Sequence, residues 1–554
     1  MNERHVVAGK RVSRWRATAL IVFFVVVCVF PLFWSLGDHA VHGDSEARYG
    51  VVARAMVAGD SPWLVPHYFG EPHLTKPPLT YWLMAASIAC VGDGELALRL
   101  PSAVAACLTM AVVFGLAAYR GGWRRGVVAA GLLAVTPMFL AVSRMGLTDA
   151  PLNLLSTAGL AAGYLGVKEN KQKYIWILWI CVAGAFFTKG PVGLLVPGAL
   201  CLWVAAGGAV DRREGWRRLR LGRGLAVAAL PLVGWGAAVA WVHPEAWGVW
   251  RFQVMDRAVG TGDHPEPWWF FVPVLLVGLF PATALLDLKP LKKLTIKNMN
   301  FVQSDSDAGL WSVMVLVTFI VFTVISGKLM TYLLPLSAPM VWLASAPMVR
   351  RVFGSLGRPG LSAQAEWNAL TPPLLIVALG TAAAGGWLIW WDGVGLAVEA
   401  LWPMAGVLGA GIWVMASRSR RRWAWGGLWL SLIVTAVWAE RWEDRLFDPE
   451  PIERLIADGR AVSPVQAPRF VTLGFTDRRL GYYVGRPSTR VDAEMPRQAW
   501  ESLVAEGVLV LVAEEWWERQ DSRADFLFRE RLQPTGLRYR YGPKHQWVQL
   551  MKPR

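Results

Sequence analysis

Charged residues are scarce in this sequence. Asp, Glu, Lys and Arg make up 17% of its 554 residues, whereas a soluble domain carries roughly a quarter. Hydrophobic residues reach 55%, and apolar runs near the ~20 residues that cross a bilayer recur between positions 17 and 438. The shortage of charge therefore excludes a wholly soluble protein and predicts a membrane domain.

Acidic residues are the minority charge: 40 Asp and Glu against 56 Lys and Arg leave a formal net charge of +16. A basic excess can indicate a nucleic-acid partner. Here the basic residues form short clusters between apolar runs, which is where the positive-inside rule places them in membrane proteins. Topology explains the excess, so no nucleic-acid partner is predicted.

Cysteine is rare, and the sequence has no internal repeat or low-complexity tract. All of its cysteines lie within apolar runs and show no spacing typical of metal ligands. Small, polarisable side chains at such positions are typical space-fillers. They are Cys28, Cys90, Cys107, Cys181 and Cys201.

The basic clusters set the predicted topology. The N-terminus carries five Lys or Arg between residues 4 and 16 and is placed in the cytoplasm. Two crossings between successive clusters keep the later clusters on that side, which requires about 13 spans. The predicted spans are 17–36, 100–118, 127–142, 152–167, 174–187, 192–206, 225–242, 270–286, 310–325, 332–346, 374–391, 398–416 and 425–438. The run 79–91 is too short for a span and is predicted to be an interfacial or re-entrant helix.

An odd number of spans places the C-terminal part outside the cytoplasm. We predict a membrane domain over 1–439, with an external loop at 37–99, and a soluble periplasmic domain over 440–554. In the soluble domain, apolar runs predict strands at 470–473, 481–484, 508–512 and 546–550 and a helix at 496–505. The predicted fold class is a mainly α, polytopic membrane protein with a small C-terminal α/β domain.

The predicted external segments contain most of the unusual polar residues. Asp44 precedes a predicted helix at 46–58, so it is either the N-cap of that helix or a catalytic base. Asp149 and Lys189 lie beside the ends of predicted membrane helices, where ionisable residues are functional candidates or interfacial groups.

Three cations in these segments, Lys76, Arg257 and Lys328, have the chemistry to neutralise a phosphate. The alternative is that their charged ends reach out to lipid headgroups. Trp268 and Trp269 are predicted to belong to the aromatic belt at the membrane interface.

The first external loop and the helix after it resemble bacterial polyprenyl-phosphate-sugar transferases in three segments: GDSEARYGVVARAM, GEPHLTKPPLTYWL and LALRLPSAVAA. This family includes the lipid A aminoarabinose transferases and their protein mannosyltransferase relatives. Further motifs match in the family's order across residues 17–346: SRMGLTDAPL, FFTKGPVGLL, PWWFFVPVLLVGLFP and SGKLMTYLLPLSAP.

The resemblance implies a C-type glycosyltransferase (GT-C) membrane fold with about 13 helices, external juxtamembrane helices and a periplasmic C-terminal domain. It also implies that Asp44 is the acid nearest the chemistry, with Asp149 as a second acid. By their place in the motifs, the predicted substrate-binding residues are Glu46, Arg48, Tyr49, Lys76, Lys189, Arg257, Lys328 and Tyr332.

Transferases of the aminoarabinose type often carry Glu, linked to a metal site, directly before the Lys-Pro-Pro motif, where this chain has Thr75. Glu71 and His73 lie nearby, but their spacing in a proline-flanked loop does not define a set of metal ligands. We therefore assign no metal site and no required cofactor.

The reaction implied by the resemblance is inverting transfer of a sugar from an undecaprenyl-type phosphate. The acceptor is a hydroxyl or phosphate in the cell envelope, on lipid A, another glycan or a protein, and the enzyme lies in the bacterial inner membrane among its lipids. The sequence leaves two alternatives open: a transporter or flippase of lipid-linked sugars, and a non-catalytic scaffold or sensor.

Overall fold

A computed structural model of the chain describes residues 29–41, 43–208, 210–256, 266–286, 306–353, 455–458, 461, 469–473, 479–484, 489–491, 508–513, 532–541 and 546–553. The described part of the first 353 residues is almost entirely helical, whereas the described part after residue 455 centres on a β-sheet. The chain therefore combines an α-helical part with a smaller α/β part, as predicted.

The first group of helices surrounds the predicted external loop. A two-stranded hairpin in that loop pairs β1, His67–Tyr68, with β2, Glu71–Pro72. Its turn consists of Phe69 and Gly70, both with positive φ, which matches the right-handed twist of the strands. The helices are α1 Phe30–Phe33, α2 Gly43–Ala58, α3 Leu79–Val91, α4 Glu95–Gly121, α5 Trp123–Ala134 and α6 Pro137–Ser143.

The second group begins at Asp149. Two 3-10 turns join its members, Gly190–Leu194 before α9 and Met330–Leu336 before the last helix, and a π-helical segment, Phe252–Asp256, follows α12. The helices are α7 Asp149–Glu169, α8 Gln172–Lys189, α9 Leu195–Ala205, α10 Arg212–Leu219, α11 Leu221–Val242, α12 Ala246–Arg251, α13 Phe271–Gly278, α14 Ala282–Leu285, α15 Ser306–Val324 and α16 Ser337–Phe353.

Helix α7 is the centre of the helical packing. A Cβ atom added at Gly163 would lie 2.5 Å from Leu200 Cδ1 and 3.3 Å from Leu178 Cδ2, so this glycine lets both neighbouring helices approach closely. Gly166 faces Ile175 in the same way. Helix α8 therefore runs antiparallel to α7. The chain reverses again at Gly190, where φ is +68°, so α9 runs parallel to α7. The two predicted segments, 174–187 and 192–206, are therefore helical and antiparallel to each other, while their two crossings of the membrane stay a prediction.

Four helical stretches within the described ranges are long and apolar enough to cross a membrane, or five if one bent pair counts as a span. They are Glu95–Gly121, Gln172–Ala205, which includes the reversal at Gly190, Arg212–Val242 and Met330–Val349. The spans predicted at 374–391, 398–416 and 425–438 lie outside the described residues, as does 17–28 of the first. The total of about 13 spans thus stays a prediction.

Two spans predicted as continuous helices are broken. The segment 127–142 is split into α5 and α6, which meet at an angle of 68°. Pro137 starts α6; a proline disfavours the helical conformation of the residue before it and has no N–H for the helix ladder. The segment 270–286 is likewise split into α13 and α14, with Pro281 immediately before α14. Hydropathy alone does not detect such breaks.

The predicted helix at 79–91 is confirmed with the same bounds, as α3. It packs through Tyr81 and Met84 against Ala47 and Val51 of α2, in a buried cluster separate from the main helical core. Helix α2 begins at Gly43, where φ is +66°. Asp44 thus lies inside the first turn, and the prediction that it precedes the helix as an N-cap is wrong, because the glycine starts the helix one turn earlier.

The C-terminal part contains a five-stranded sheet in the order β4-β3-β5-β7-β6. Strands β3, β4 and β5 are parallel, and β7 pairs antiparallel with β5 and β6. The strands are β3 Arg469–Leu473, β4 Thr489–Val491, β5 Val508–Ala513, β6 Leu532–Tyr541 and β7 Gln546–Pro553. Three predicted strands are confirmed, and the predicted helix at 496–505 lies outside the described residues.

The fourth predicted strand, at 481–484, is wrong. Residues Arg479–Val484 form a helix, α17, which crosses from β3 to β4. Parallel strands need such a crossover connection. A short apolar run does not distinguish a strand from a buried helical turn. Tyr482 of this run packs into the helical part of the chain, and Tyr483 packs against both that part and the core of the sheet.

Candidate active site

Asp149 and Lys189 form an ion pair where α7 begins and α8 ends. Lys189 Nζ lies 2.6 Å from Asp149 Oδ1, and the side chains are only 10% and 9% exposed. Because α7 and α8 run antiparallel, the first residue of one lies beside the last residue of the other. An acid at a helix N-terminus and a base at a helix C-terminus are each favoured by the helix dipoles. The two predicted site residues thus come together.

Tyr332 joins this pair from the 3-10 turn Met330–Leu336. Lys189 Nζ lies 4.8 Å from the centre of the Tyr332 ring, within the range of a cation-π contact. The turn is fixed to α7 because Asn153 Nδ2 donates a hydrogen bond of 3.2 Å to Ser337 Oγ. Asp149, Lys189 and Tyr332, which are distant in sequence, therefore form one cluster.

Tyr49 of α2 lies within electrostatic reach of the cluster. Burial raises the pKa of the Tyr49 hydroxyl; the charge on Asp149 raises it further, whereas Arg48 and Lys189 oppose the shift. The hydroxyl therefore stays protonated at neutral pH and is available as a donor. The ring makes an edge-on contact with Tyr81 of α3, at 5.3 Å between ring centres.

Arg48 precedes Tyr49 and lies beside it, with its guanidinium carbon 5.5 Å from the centre of the Tyr49 ring. Its Nε atom is buried and has no hydrogen-bond partner in the described part of the chain. Buried donors in native proteins are nearly always paired. A guanidinium N–H left without a partner beside Tyr49 suits an anionic ligand.

Glu46 and Arg99 form a second ion pair that is fully enclosed. Arg99 Nε and Nη2 lie 3.0 and 3.2 Å from the two carboxylate oxygens of Glu46, and both residues are at most 2% exposed. Arg99 also donates to the backbone carbonyls of Leu36, His39 and Ala40. This pair connects α2 and α4 with the chain that precedes α2.

The same Glu46 carboxylate accepts a 2.6 Å hydrogen bond from the backbone N–H of Gly146, in the turn that leads to Asp149. Glu46 was predicted to bind substrate, and the structure places it in contacts that position α2 against this turn. Arg99 was missed by the sequence analysis. Its signal was a single arginine in the otherwise apolar stretch LALRLP.

Lys76 lies in the loop after the β1–β2 hairpin and is half-buried. Three indole N–H groups hold the chain on the two sides of this hairpin. Trp82 and Trp235 donate to the backbone carbonyls of Trp63 and Leu64, before β1, and Trp250 donates to that of Leu74, in the loop of Lys76. The sequence analysis missed these tryptophans, because aromatic residues near a membrane are ordinarily interpreted as belt residues.

The residues around Thr75 do not fit a divalent metal. His73 is buried, and its Nε2 lies 2.9 Å from Thr75 Oγ1, so this nitrogen is already engaged. Within the described ranges, no group of three or more His, Cys, Asp or Glu is arranged to hold a metal ion. No metal-dependent step is therefore assigned to these residues.

Lys328 lies in a different environment. It is 4% exposed, and its Nζ donates to the backbone carbonyl of Glu266 at 2.9 Å and to that of Ser326 at 3.4 Å. It thus ties the segment before α13 to the end of α15. Arg257 lies outside the described residues. Trp268 and Trp269 are exposed, at 73% and 53%, as expected for residues that face lipid.

Residues 75–235 match the family model described as dolichyl-phosphate-mannose-protein mannosyltransferase. A curated relative from Edwardsiella ictaluri, named undecaprenyl phosphate-alpha-4-amino-4-deoxy-L-arabinose arabinosyl transferase, is 30% identical over 439 residues, which cover 75% of this chain and 74% of the relative. A relative of the same name from Serratia proteamaculans is 27% identical, over 74% of this chain and 73% of the relative.

Among solved structures, the fold resembles the crystal structure of ArnT from Cupriavidus metallidurans bound to undecaprenyl phosphate. The TM-score is 0.72, with 19% sequence identity over 97% of this chain and 98% of that one. This likeness confirms the predicted GT-C fold. The named relatives and the apolar helices confirm a multi-pass membrane glycosyltransferase, against the transporter and scaffold alternatives. From the match to the Edwardsiella protein, the chain belongs to the family of undecaprenyl phosphate-alpha-4-amino-4-deoxy-L-arabinose arabinosyl transferases.

Proposed function

We propose that this glycosyltransferase moves 4-amino-4-deoxy-L-arabinose from undecaprenyl phosphate to an envelope acceptor such as lipid A. The donor follows the names of the relatives. The observation that carries the proposal is the buried Nε donor of Arg48 beside Tyr49, which itself lies within electrostatic reach of Asp149 and Lys189. A buried guanidinium N–H without a partner suits a lipid phosphate, and Lys76 and Arg257 are proposed to complete its binding.

The site is proposed to face the periplasm. Asp149 lies at one end of α7, whereas the basic segments 168–173 and 212–223 come together at the other end, where Arg218 Nη1 donates to the carbonyl of Val167. The positive-inside rule places that basic end in the cytoplasm. The N-terminus is then cytoplasmic, and the soluble domain, proposed to cover 440–554, lies in the periplasm with the site.

The transfer is proposed to be a single displacement. The acceptor oxygen bonds to the anomeric carbon while the bond from that carbon to the phosphate oxygen breaks, and undecaprenyl phosphate leaves with the electron pair. Attack from the face opposite the phosphate inverts the configuration. Arg48 and Lys189 stabilise the charge on the leaving phosphate, the kind of electrostatic contribution that is usually the largest in catalysis.

Asp44 is the proposed base, from the first turn of α2. With a hydroxyl acceptor, its carboxylate takes the proton that the attacking oxygen loses. A phosphate acceptor, with a second pKa of about 6, is already anionic at neutral pH and needs no base. In that case Asp44 orients the acceptor. The same site therefore accommodates both acceptor classes, with different demands on this residue.

The test is sugar transfer by purified protein in liposomes, with labelled donor and extracted envelope acceptors. Asp44→Asn is expected to lower turnover on a hydroxyl acceptor by ~100-fold or more, the usual contribution of a base, with donor binding retained. Arg48→Gln is expected to raise the donor KM by ~10-fold, because a charge-assisted hydrogen bond is lost.

Asp60→Asn is the matched control, since Asp60 lies exposed just beyond the end of α2; its activity should equal that of the unmodified protein. Full turnover in Asp44→Asn would remove Asp44 from the mechanism. An unchanged donor KM in Arg48→Gln would contradict the assignment of the phosphate site.

A further inference from the structure

Helix α17 of the C-terminal part docks onto α2, the helix that carries Asp44, Arg48 and Tyr49. The Tyr482 side chain is 1% exposed and belongs to the buried cluster formed by α2, α3 and α4. It is the only fully buried member of that cluster, among the described residues, that comes from beyond residue 100. The soluble domain therefore contributes a core residue to the juxtamembrane helices.

Helix α2 has a recess for this ring at Gly50. A Cβ atom at position 50 would lie 2.6 Å from Tyr482 Cε2 and 2.8 Å from Leu98 Cδ1, closer than real Cβ contacts come. Gly50 is one residue after Tyr49 and two after Arg48. The absence of a side chain here thus brings α17 directly against the site-bearing half of α2.

Arg54, one turn after Gly50 in α2, contacts both the ring and the backbone of Tyr482. Its guanidinium carbon lies 3.6 Å from the centre of the Tyr482 ring, and its Nη1 donates to the Tyr482 carbonyl at 2.9 Å. Its Nε lies 2.7 Å from Asp93 Oδ1, in the turn between α3 and α4. One arginine therefore joins α2, α17 and the α3–α4 turn.

Tyr483 fastens the other end of α2. Its hydroxyl donates to Glu95 Oε1 at 2.9 Å and accepts from the backbone N–H of Val41 at 2.9 Å. Val41 lies just before α2, and Glu95 is the first residue of α4. These hydrogen bonds hold the entry to α2 against α4, three residues from Asp44.

We infer that Tyr482 and Tyr483 are positioning residues: together they form a clamp, the tyrosine clamp, through which the soluble domain holds α2, the helix of Asp44 and Arg48, so that Tyr49 stays beside the Asp149–Lys189 pair. The inference rests on the proposed function. The clamp does not touch substrate. It holds α2 at its start, at Gly50 and at Arg54, and the proposed catalytic and phosphate-binding residues lie in the first half of that helix. Activity of the membrane domain therefore depends on the docked state of the soluble domain.

Loss of the hydroxyl group is expected to leave transfer unchanged at Tyr482 and to lower it at Tyr483, so the two Tyr→Phe changes form a matched pair of variants. The Tyr482 hydroxyl is buried without a hydrogen-bond partner among the described residues, so Tyr482→Phe removes nothing that the clamp uses. Tyr483→Phe removes both of its hydrogen bonds. A general need for a folded soluble domain would not separate two conservative Tyr→Phe changes in adjacent residues.

The experiment measures transfer by the full-length protein together with hydrogen exchange of the amides of α2 and of β3 and β5. Tyr482→Phe should retain the unmodified kcat/KM, and Tyr483→Phe should lower it. Tyr482→Ala and Gly50→Ala should lower it by ~10- to 100-fold, as displacement of a catalytic group by about 1 Å does. Exchange should rise in α2 and stay unchanged in β3 and β5.

Equal activity of Tyr482→Ala, Gly50→Ala and the unmodified protein would overturn the clamp. So would a loss of activity in which α2 keeps its original exchange rate, or equal losses in the two Tyr→Phe variants. Gly50→Ala tests the contact from the membrane side if Tyr482→Ala fails to fold. Absence of transfer by the unmodified protein would instead refute the proposed function and is a separate outcome.

Discussion

At the scale of single residues, the two buried ion pairs have different surroundings. Glu46 and Arg99 satisfy each other and several backbone groups, so nothing of that pair is left for a ligand. Asp149 and Lys189 instead have the side chains of Tyr49 and Tyr332 as neighbours, so this pair lies among groups that can contact a ligand. Motif position alone did not separate these cases, because both acids lie in matching segments of the sequence.

Removing one member of the Asp149–Lys189 pair should destabilise the fold as well as abolish transfer. Asp149→Asn leaves the buried Lys189 charge without its partner, and breaking a buried pair in this way costs about 3–5 kcal/mol. The double change Asp149→Asn with Lys189→Met removes both charges, and such neutral replacements are often tolerated. We expect it to recover the unfolding temperature in detergent and to remain inactive.

Thermal unfolding and sugar transfer on the same preparations check this prediction. If the double variant transferred sugar at the unmodified rate, the pair would be purely structural. If Asp149→Asn alone unfolded at the original temperature, the buried pair would make no measurable contribution to the stability of the fold.

At the scale of elements, apolar length and charge clusters predicted which segments are helical, but not where they break. The run 79–91 was predicted as a helix with the bounds that the structure shows, and its length is too short for a span. The break at Pro137 has a local cause in the proline itself, which hydropathy does not detect. The helix at Arg479–Val484 packs against distant segments, which periodicity does not contain. The start of α2 at Gly43 was missed for a local reason: a glycine with positive φ took the place of the expected acidic cap.

The glycines of α7 determine how closely α8 and α9 approach, and thus whether Lys189 reaches Asp149. Gly163→Leu would place a branched side chain where Leu178 and Leu200 already lie. Such overpacking costs about 1–3 kcal/mol. We expect a lower unfolding temperature and reduced transfer, both measured in detergent. Gly115→Leu on α4 is the control, since no described residue lies within 4 Å of a Cβ atom at that position. Equal behaviour of the two variants would contradict the role of Gly163.

At the scale of the whole molecule, the sequence predicted a soluble domain after the membrane part but assigned it no task. Its attachment to α2 depends on Tyr482, Tyr483 and Arg54, which look like ordinary surface and strand residues in the sequence. Once docked, the domain must lie on the same side of the membrane as the site. The proposed topology can therefore be tested with labels at one position each beside α2, in the soluble domain and beside the α7–α8 turn.

That topology predicts the reactivity of single cysteines introduced into a cysteine-free background. Asp60→Cys, after α2, and Ala457→Cys, in the soluble domain, occupy exposed positions that should react with a membrane-impermeant maleimide on intact spheroplasts. Gln172→Cys, at the exposed first residue of α8, should react only after permeabilisation, because the positive-inside rule places the neighbouring basic turn in the cytoplasm. Labelling of position 172 in intact spheroplasts would invert the proposed orientation. Labelling of positions 60 and 457 from opposite sides would contradict the docking of the soluble domain on α2.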